Sequence, residues 1–273
     1  MHLKYIKLLG LLCLICFTFI YTENIISVSI NQDEIMITLK EKEKEYNIEP
    51  TNAIIENDTI IPGNTGKKID IDSSYKQMKK IGYFEESSIV YETIYPNISI
   101  YNNYHKYVIS GNKKNKEIAL IYIINSNRTI ENILNIIKSK ETSISFFIDS
   151  TYLNNNINII DKLESYEIYN YGNNGKYTKD NLIVTNNIIN NKANNNSTYC
   201  LFLTKDSSSL NNCANMKMLS IIPSTNENYN DIKRNITNGS IITITNTKEL
   251  SNIINYIKSK GFSIVPLSKI IKE

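Results

Sequence analysis

The chain has 273 residues, with 30 basic and 27 acidic side chains and a formal net charge of +3. This length can bury the core of one large domain or of two modest ones. Because the charges of both signs are interspersed and form no basic stripe, the composition argues against a nucleic-acid-binding protein.

An apolar segment without charged residues lies near the start of the sequence. Lys4 and Lys7 precede the run at residues 8–21, a pattern typical of an export signal or a membrane anchor. The bulky residues 19–21 leave no small-residue cleavage site. Residues 1–22 are therefore predicted to be an uncleaved anchor that leaves the rest of the chain on the extracellular face. A cleaved signal peptide and a secreted protein are the alternative.

The four cysteines divide into two pairs. Cys13 and Cys16 fall in the apolar run and are interpreted as lipid-facing. Cys200 and Cys213 fall in the exported part, where an oxidising exterior would let them form a disulfide. Two buried thiols are the alternative. No second cysteine pair or nearby histidine completes a four-ligand zinc site.

The region after the apolar run begins with two alternating segments. Residues 25–30 and 34–39 alternate apolar and polar side chains around 31–33, which predicts a β-hairpin. The charged run at 40–45 is interpreted as a solvated connector.

A helix is predicted further along, with Asp72 or Ser73 as its N-cap, because apolar side chains then recur near helical spacing. Residues 88–109 are expected to be rich in strands. Residues 23–115 are thus predicted to form a small α+β region, and residues 116–273 a separate domain.

From residue 118 onward, short apolar runs alternate with helical patterns. The predicted strands are 118–124, 143–148, 166–170, 199–203, 217–222, 240–244 and 262–265. The predicted helices are 129–140, 153–164, 178–191, 207–215, 229–236, 248–260 and 267–272. Seven strand-helix units predict a parallel sheet with right-handed crossovers, either open or closed into a distorted barrel.

Residues 118–273 resemble the catalytic domain of the polysaccharide deacetylases, the NodB homology domain. EIALIYIIN stands where that family's first strand ends in T-F-D-D-G, and ETSISFFID resembles its K-A-T-F-F-V strand. SYEIYNYGNNG resembles G-H-E-I-G-N-H-T-x-S-H, and NGSIITITN resembles P-G-S-I-I-L-L-H. YIKSKGFSIVPLSKII resembles the closing helix, strand and tail. The resemblance implies a deformed (β/α)7 barrel, preceded here by the α+β appendage and the membrane helix.

The residues that carry the family's chemistry are replaced. In the family the first Asp of the D-D pair is the general base, and the second Asp binds a divalent metal with the two His of H-x-x-x-H. This chain has Ile123 and Ile124 at the Asp positions, and Tyr171 and Gly175 at the His positions. An isoleucine side chain can neither accept a proton nor bind a hard cation, so the resemblance implies a degenerate member.

Two further family positions are also changed. The family's arginine falls near Leu201, and its late catalytic histidine falls on Thr245. The chain has two histidines, His2 and His105, and both precede residue 116. We therefore expect no metal, no cofactor and no deacetylase catalysis.

Other catalytic arrangements are weakly represented. A Ser-His-Asp triad would require His105, outside the predicted sheet. Asp149 follows the predicted strand 143–148 and is the strongest candidate for a rearranged carbohydrate hydrolase. Capping of the next helix is the alternative role of Asp149.

Polar and aromatic residues at the predicted strand ends suit a sugar, because tyrosine rings stack on pyranoses and amides satisfy hydroxyl groups. The candidate glycan-binding residues are Asn125, Asp149, Asn170, Tyr171, Tyr199, Thr245 and Asn246. A collapsed cleft without ligand is the alternative.

The sequence therefore predicts a membrane-anchored extracellular pseudoenzyme that binds cell-wall glycan, either peptidoglycan or a chitin-like polymer, or an envelope protein. An active hydrolase around Asp149 and a purely structural module are the alternatives.

Overall fold

The computed structural model describes residues 2–125, 130–225, 228–244 and 247–273. The β-strands are β1 (Ile54–Glu56), β2 (Thr59–Ile61), β3 (Gly66–Ile69), β4 (Tyr91–Ile94), β5 (Tyr107–Val108), β6 (Glu117–Ile124), β7 (Ser145–Ile148), β8 (Ile168–Asn170), β9 (Tyr199–Leu201), β10 (Leu219–Ile221), β11 (Ile241–Ile244) and β12 (Ser263–Ile264). The α-helices are α1 (His2–Asn31), α2 (Glu34–Tyr46), α3 (Ile71–Ile81), α4 (Ile130–Ser139), α5 (Ser150–Asn155), α6 (Ile159–Lys162), α7 (Lys179–Lys192), α8 (Ser207–Asn215), α9 (Tyr229–Asn235), α10 (Leu250–Ser259) and α11 (Leu267–Ile270).

The chain divides into two compact units. Unit 1 comprises residues 1–50 and 66–94, and unit 2 comprises residues 51–65 and 95–273. This division differs from the predicted boundary at residue 115, because β2 and β5 pair within a sheet of unit 2. Pairing between distant segments is set by tertiary contacts, which local sequence patterns do not report.

Unit 1 is built from α1, α2, α3 and the antiparallel pair β3–β4. Its small core joins Leu39 of α2, Ile69 of β3 and Met78 of α3. The N-cap of helix α3 is Asp70, whose carboxylate accepts a hydrogen bond from the Ser73 backbone N–H at 3.0 Å. The predicted cap at Asp72 or Ser73 was therefore two or three residues late.

The predicted hairpin at residues 25–39 is wrong, because this segment is helical. Asp33 is the N-cap of α2 and accepts a hydrogen bond from the Ile35 backbone N–H at 3.0 Å. The buried residues of α2 are Ile35, Met36 and Leu39, which follow a helical spacing, whereas Ile37 is exposed. The apolar residues of 34–39 fit both patterns, because 35, 37 and 39 are spaced by two, while 35 and 36 lie four and three residues before 39. Packing decided for the helix. The charged run at 40–45, predicted to be a connector, belongs to the same helix.

Unit 2 contains two sheets. One has the strand order β11-β6-β7-β8, all parallel, and β12 also pairs with the start of β6. The other has the order β1-β2-β5-β10-β9, in which only the β1–β2 pair is antiparallel. All seven predicted strand-helix units occur in chain order, and the helix predicted at 153–164 is divided into α5 and α6.

The central strand β6 faces two apolar clusters. Ala119, Ile121 and Ile123 belong to an inner cluster that includes residues of both sheets. Leu120 and Ile124 belong to an outer cluster under the helices. Because successive side chains of a strand point to opposite faces, a continuous apolar run is the signature of a strand covered on both sides.

Candidate functional site

The carboxyl end of β6 is closed by apolar side chains. Ile123 lies in the inner cluster with 6% of its surface exposed, and Ile124 lies under the helices with 2% exposed. These are the positions where the resemblance places the general base and a metal-binding Asp. Among the residues that the structure describes, no group of three or more His, Cys, Asp or Glu side chains is arranged to hold a metal ion.

The loop after β8 contains the two positions where the resemblance places the family's histidines. The Gly175 N–H donates to the Tyr171 carbonyl at 3.1 Å, so the two residues lie one turn apart. A Cβ atom at Gly175, which has φ of +80°, would lie 3.1 Å from the Tyr171 hydroxyl. The Tyr171 ring therefore fills the space of a side chain at residue 175. Burial, with a further contribution from the Asp149 charge, raises the pKa of this phenol.

Asp149 holds backbone groups. One carboxylate oxygen accepts hydrogen bonds from the N–H groups of Thr151 at 2.9 Å and Tyr152 at 3.1 Å, which caps α5. The other oxygen accepts from the Asn174 N–H at 2.6 Å, which ties the loop after β8 to the end of β7. Of the two roles that the sequence left open for Asp149, the structure shows the helix cap.

Asn170 is completely buried and its amide is saturated within the protein. Its oxygen accepts from the Gly172 N–H at 2.6 Å and from the Ser150 hydroxyl at 3.2 Å. Its nitrogen donates to the Asn186 side chain at 3.0 Å and to the Asn181 carbonyl at 3.3 Å. A sugar that bound this amide would have to displace these internal bonds.

Two of the other candidate glycan-binding residues, Tyr199 and Asn125, are described by the structure and lie at opposite ends of their strands. Tyr199 begins β9, at the amino end of that strand, and packs edge-on against Tyr169 with 4.9 Å between ring centroids. Burial raises the pKa of Tyr199. Asn125 is exposed directly after β6. Thr245 and Asn246 lie outside the described residues.

Tyr177 is an interior residue that the sequence analysis missed. Its hydroxyl accepts from the Leu201 N–H at 2.7 Å and lies 3.2 Å from the carbonyl oxygens of Asn170 and Leu201. It thus connects β8 to β9. The only signal in the sequence was one more tyrosine in a chain that contains 19 of them.

The predicted disulfide forms, and two further residues named in the sequence analysis, Leu201 and His105, lie within unit 2. Cys200 of β9 and Cys213 of α8 form a disulfide, with 6.5 Å between their Cα atoms. Leu201, where the resemblance places an arginine, is completely buried. His105 is exposed in the turn before β5, within unit 2.

Comparison with known proteins gives a match to one family model and to one curated protein. A family model described as a putative peptidoglycan binding domain matches residues 18–80. The uncharacterized protein YlxY of Bacillus subtilis is 29% identical over 150 residues, which are 54% of this chain and 47% of that protein. The chain thus matches about half the length of this curated relative.

Solved structures share the fold. Wild-type BA3943 of Bacillus anthracis, described as a CE4 family pseudoenzyme, has a TM-score of 0.61 and 21% identity over 89% of this chain and 96% of its own. A family 4 carbohydrate esterase from Bacillus anthracis has a TM-score of 0.51 and 18% identity over 60% of this chain and 86% of its own. The resemblance to polysaccharide deacetylases is thereby confirmed at the level of the fold.

Proposed function

We propose that this chain, which has the fold of the family 4 carbohydrate esterases, is a cell-wall glycan-binding protein without deacetylase activity. The observation that carries the proposal is the set of side chains at the four family positions. Ile123 and Ile124 are buried, and the Tyr171 ring lies over Gly175. The two isoleucines and the glycine can neither activate water nor bind a divalent metal, and burial raises the pKa of the Tyr171 phenol, which keeps it protonated.

Glycan binding is supported by the match of residues 18–80 to a putative peptidoglycan binding domain. Most of this segment belongs to unit 1, which has a groove of about 650 Å³ along α2, β3 and the start of α3. Lys40, Lys68 and Asp72 line it and offer hydrogen-bonding groups to a polar ligand. We therefore assign the primary contact with peptidoglycan to unit 1.

We also propose that α1 anchors the protein in a membrane, with the chain that follows α1 on the extracellular face. The stretch Gly10–Asn31 has 22 residues and a mean hydropathy of 1.9, and none of its described side chains is buried within the protein. At 1.5 Å per residue it measures about 33 Å, which matches a hydrocarbon layer of about 30 Å.

Finally, we propose that the two sheets of unit 2 form one deformed barrel. Side chains connect the sheets where strand pairing stops. Ser197 accepts a hydrogen bond from the Asn170 N–H at 3.0 Å between β8 and β9. Ser224 accepts from the Ile241 N–H at 2.9 Å and returns its own N–H to the Ile241 carbonyl at 2.9 Å, between β10 and β11.

The proposed function can be tested with full-length protein in detergent. The protein should co-sediment with purified peptidoglycan and should release no acetate from acetylated chitooligosaccharides or from peptidoglycan. It should also contain no stoichiometric zinc, cobalt or nickel. Metal-dependent release of acetate by the wild type would refute the proposal, and so would the absence of any retention on peptidoglycan.

A matched variant tests the catalytic part. Replacement of Ile123 and Ile124 by Asp should create no deacetylase activity, because residues 171 and 175 still supply no imidazole. The double variant should also unfold at a lower temperature, because two carboxyl groups would be placed where apolar side chains are buried. Asn125→Asp, at an exposed position one residue later, is the control and should leave the melting temperature nearly unchanged.

A further inference from the structure

A second groove, in unit 2, lies outside the positions that the resemblance implies. It has a volume of about 600 Å³ and runs between the start of α4 and the turn that joins α5 to α6. We call it the α4–α5 groove. It adjoins the carboxyl ends of the sheet, because α4 follows β6 and α5 begins directly after Asp149 at the end of β7. Its volume is within the range of about 300–1,000 Å³ that is typical of small-molecule sites.

The groove has an apolar part with an aromatic ring. Tyr152 lines it and is partly exposed, while the body of its side chain packs against the outer core cluster. Ile130 and Ile157 line the groove as well. The cap at Asp149 holds the Tyr152 backbone N–H at 3.1 Å, so the position of the ring depends on a fixed helix end. A fixed aromatic ring beside aliphatic side chains suits the apolar face of a pyranose.

Amide groups form the polar part. Asn155 and Asn156 donate their side-chain nitrogens to the carbonyls of Thr151 and Tyr152, at 3.0 and 2.9 Å, and this fixes their orientation. Asn154 and Asn158 are exposed in the groove, and within the described part of the chain their amides make no hydrogen bond. Each of these two amides can donate and accept hydrogen bonds, which matches a ligand rich in hydroxyl or acetamido groups.

The described residues that line the groove carry one positive and one negative charge, which pair with each other. Lys162 and Glu131, the two ionisable side chains among its lining residues apart from the tyrosine, form a salt bridge of 2.8 Å. Among the lining residues that the structure describes, no cation is left unpaired for a phosphate or an acidic peptide, and no carboxylate is left unpaired for a basic ligand. A neutral polar ligand fits this balance better than an ion does.

We propose that the α4–α5 groove binds a short neutral saccharide, with one sugar ring against Tyr152 and its polar groups on Asn154 and Asn158. The inference rests on the proposed glycan-binding function and adds a second contact with the glycan, in unit 2.

The test uses full-length protein and tetra-N-acetylchitotetraose, with affinity measured by calorimetry. The double variant Asn154→Ala, Asn158→Ala should raise the Kd at least about tenfold, since it removes two hydrogen-bonding groups. Its melting temperature should not change, because neither amide is bonded within the described fold. The control is Asn187→Ala with Asn191→Ala, two exposed asparagines four residues apart on α7, and it should bind as the wild type does.

Variants of the ring provide a second measurement. Tyr152→Ala should weaken binding at least about fivefold, whereas Tyr152→Phe, which keeps the stacking face and the core packing, should bind within about twofold of the wild type. Equal affinities of wild type, Ala and Phe variants would overturn the inference, even if the Ala variant is less stable.

The remaining outcomes separate the two proposals. If the wild type is retained on peptidoglycan but does not bind the tetrasaccharide, the inference about the groove is wrong and the proposed function stands. If the wild type binds neither, both proposals are wrong. If it binds the tetrasaccharide and the asparagine variant binds equally well, the site lies elsewhere and the inference is overturned.

Discussion

At the scale of single residues, the loop at Tyr171 and Gly175 differs from the metal site that the resemblance to polysaccharide deacetylases places there. The space beside residue 175 is taken by a tyrosine ring, and the backbone there has a positive φ that favours glycine. Restoring histidines at both positions would remove the tyrosine ring but would leave the backbone obstacle at residue 175. A histidine at 175 would be strained in its backbone, whatever the neighbouring side chain is.

We predict that Gly175→Ala destabilises the protein more than Gly261→Ala does. Both glycines have φ near +80°, but a Cβ at Gly261 has no neighbour within 4 Å, whereas at Gly175 the Tyr171 hydroxyl is 3.1 Å away. The backbone strain should cost about 1 kcal/mol at either site, and the contact should add up to about 1 kcal/mol at Gly175. Urea unfolding measures both values. The difference should vanish in the background Tyr171→Phe, and its persistence there would contradict the contact.

Asp149 gives a second prediction at this scale. Asp149→Ala removes the acceptor of three backbone N–H groups and should lower the free energy of unfolding by about 2 kcal/mol or more. Asp149→Asn keeps one acceptor oxygen for the helix end and loses only the bond to Asn174, so it should cost less. Denaturant unfolding of the two variants gives the order. If both variants lose the same free energy of unfolding, the oxygen that accepts from Thr151 and Tyr152 does not stabilise the protein as a cap of α5.

At the scale of elements, Tyr177 links β8 and β9, which share no backbone ladder in the described residues. Complete burial raises the pKa of this phenol well above its usual value. The tyrosinate is therefore disfavoured in the folded protein, while the unfolded chain ionises near pH 10. The stabilisation that the buried, protonated Tyr177 phenol gives to the folded protein is fully present below about pH 10. It is lost progressively as the pH rises above that value.

Tyr177→Phe should therefore have two effects. At pH 8 it should destabilise the protein by about 1–3 kcal/mol, because the buried Leu201 N–H loses its acceptor. Above pH 10 the stability of the variant should fall less steeply than that of the wild type, by up to about 1.4 kcal/mol per pH unit. Denaturant unfolding at pH 8 and pH 11 measures both effects. Identical slopes for the two proteins would show that the Tyr177 phenol titrates normally.

At the scale of the whole molecule, α1 continues without a break from His2 to Asn31, through the point at which an export signal would be cleaved. We predict that the mature protein keeps Cys13 and Cys16. It should stay with membranes after washing in high salt and alkaline carbonate, and detergent should release it. Fractionation and N-terminal sequencing test this. A soluble form that begins near Thr22 or Glu23 would support a cleaved signal peptide instead.

The amino-acid sequence by itself determined the order of strands and helices from β6 to α11. It also shows no carboxylate or imidazole side chain at the four positions where the resemblance places the family's base and metal ligands. Apolar runs that are covered on both faces leave a local pattern, so each of the seven strands was found within about three residues of its ends. The identity of Ile123 or Tyr171 is also a local fact. No fold can turn an isoleucine into a metal ligand.

Only the tertiary structure decided the remaining points. Residues 34–39 satisfied two periodicities, and the packing of Leu39 in one cluster with Met78 selected the helix. The pairing of β2 with β5 moved residues 51–65 into unit 2. Asp149 caps α5 and binds the loop after β8 and is not a free carboxylate, because its oxygens accept hydrogen bonds from N–H groups up to 25 residues away. Contacts between distant segments choose among conformations that the local sequence leaves close in energy, and this is the physical reason why these features required the folded chain.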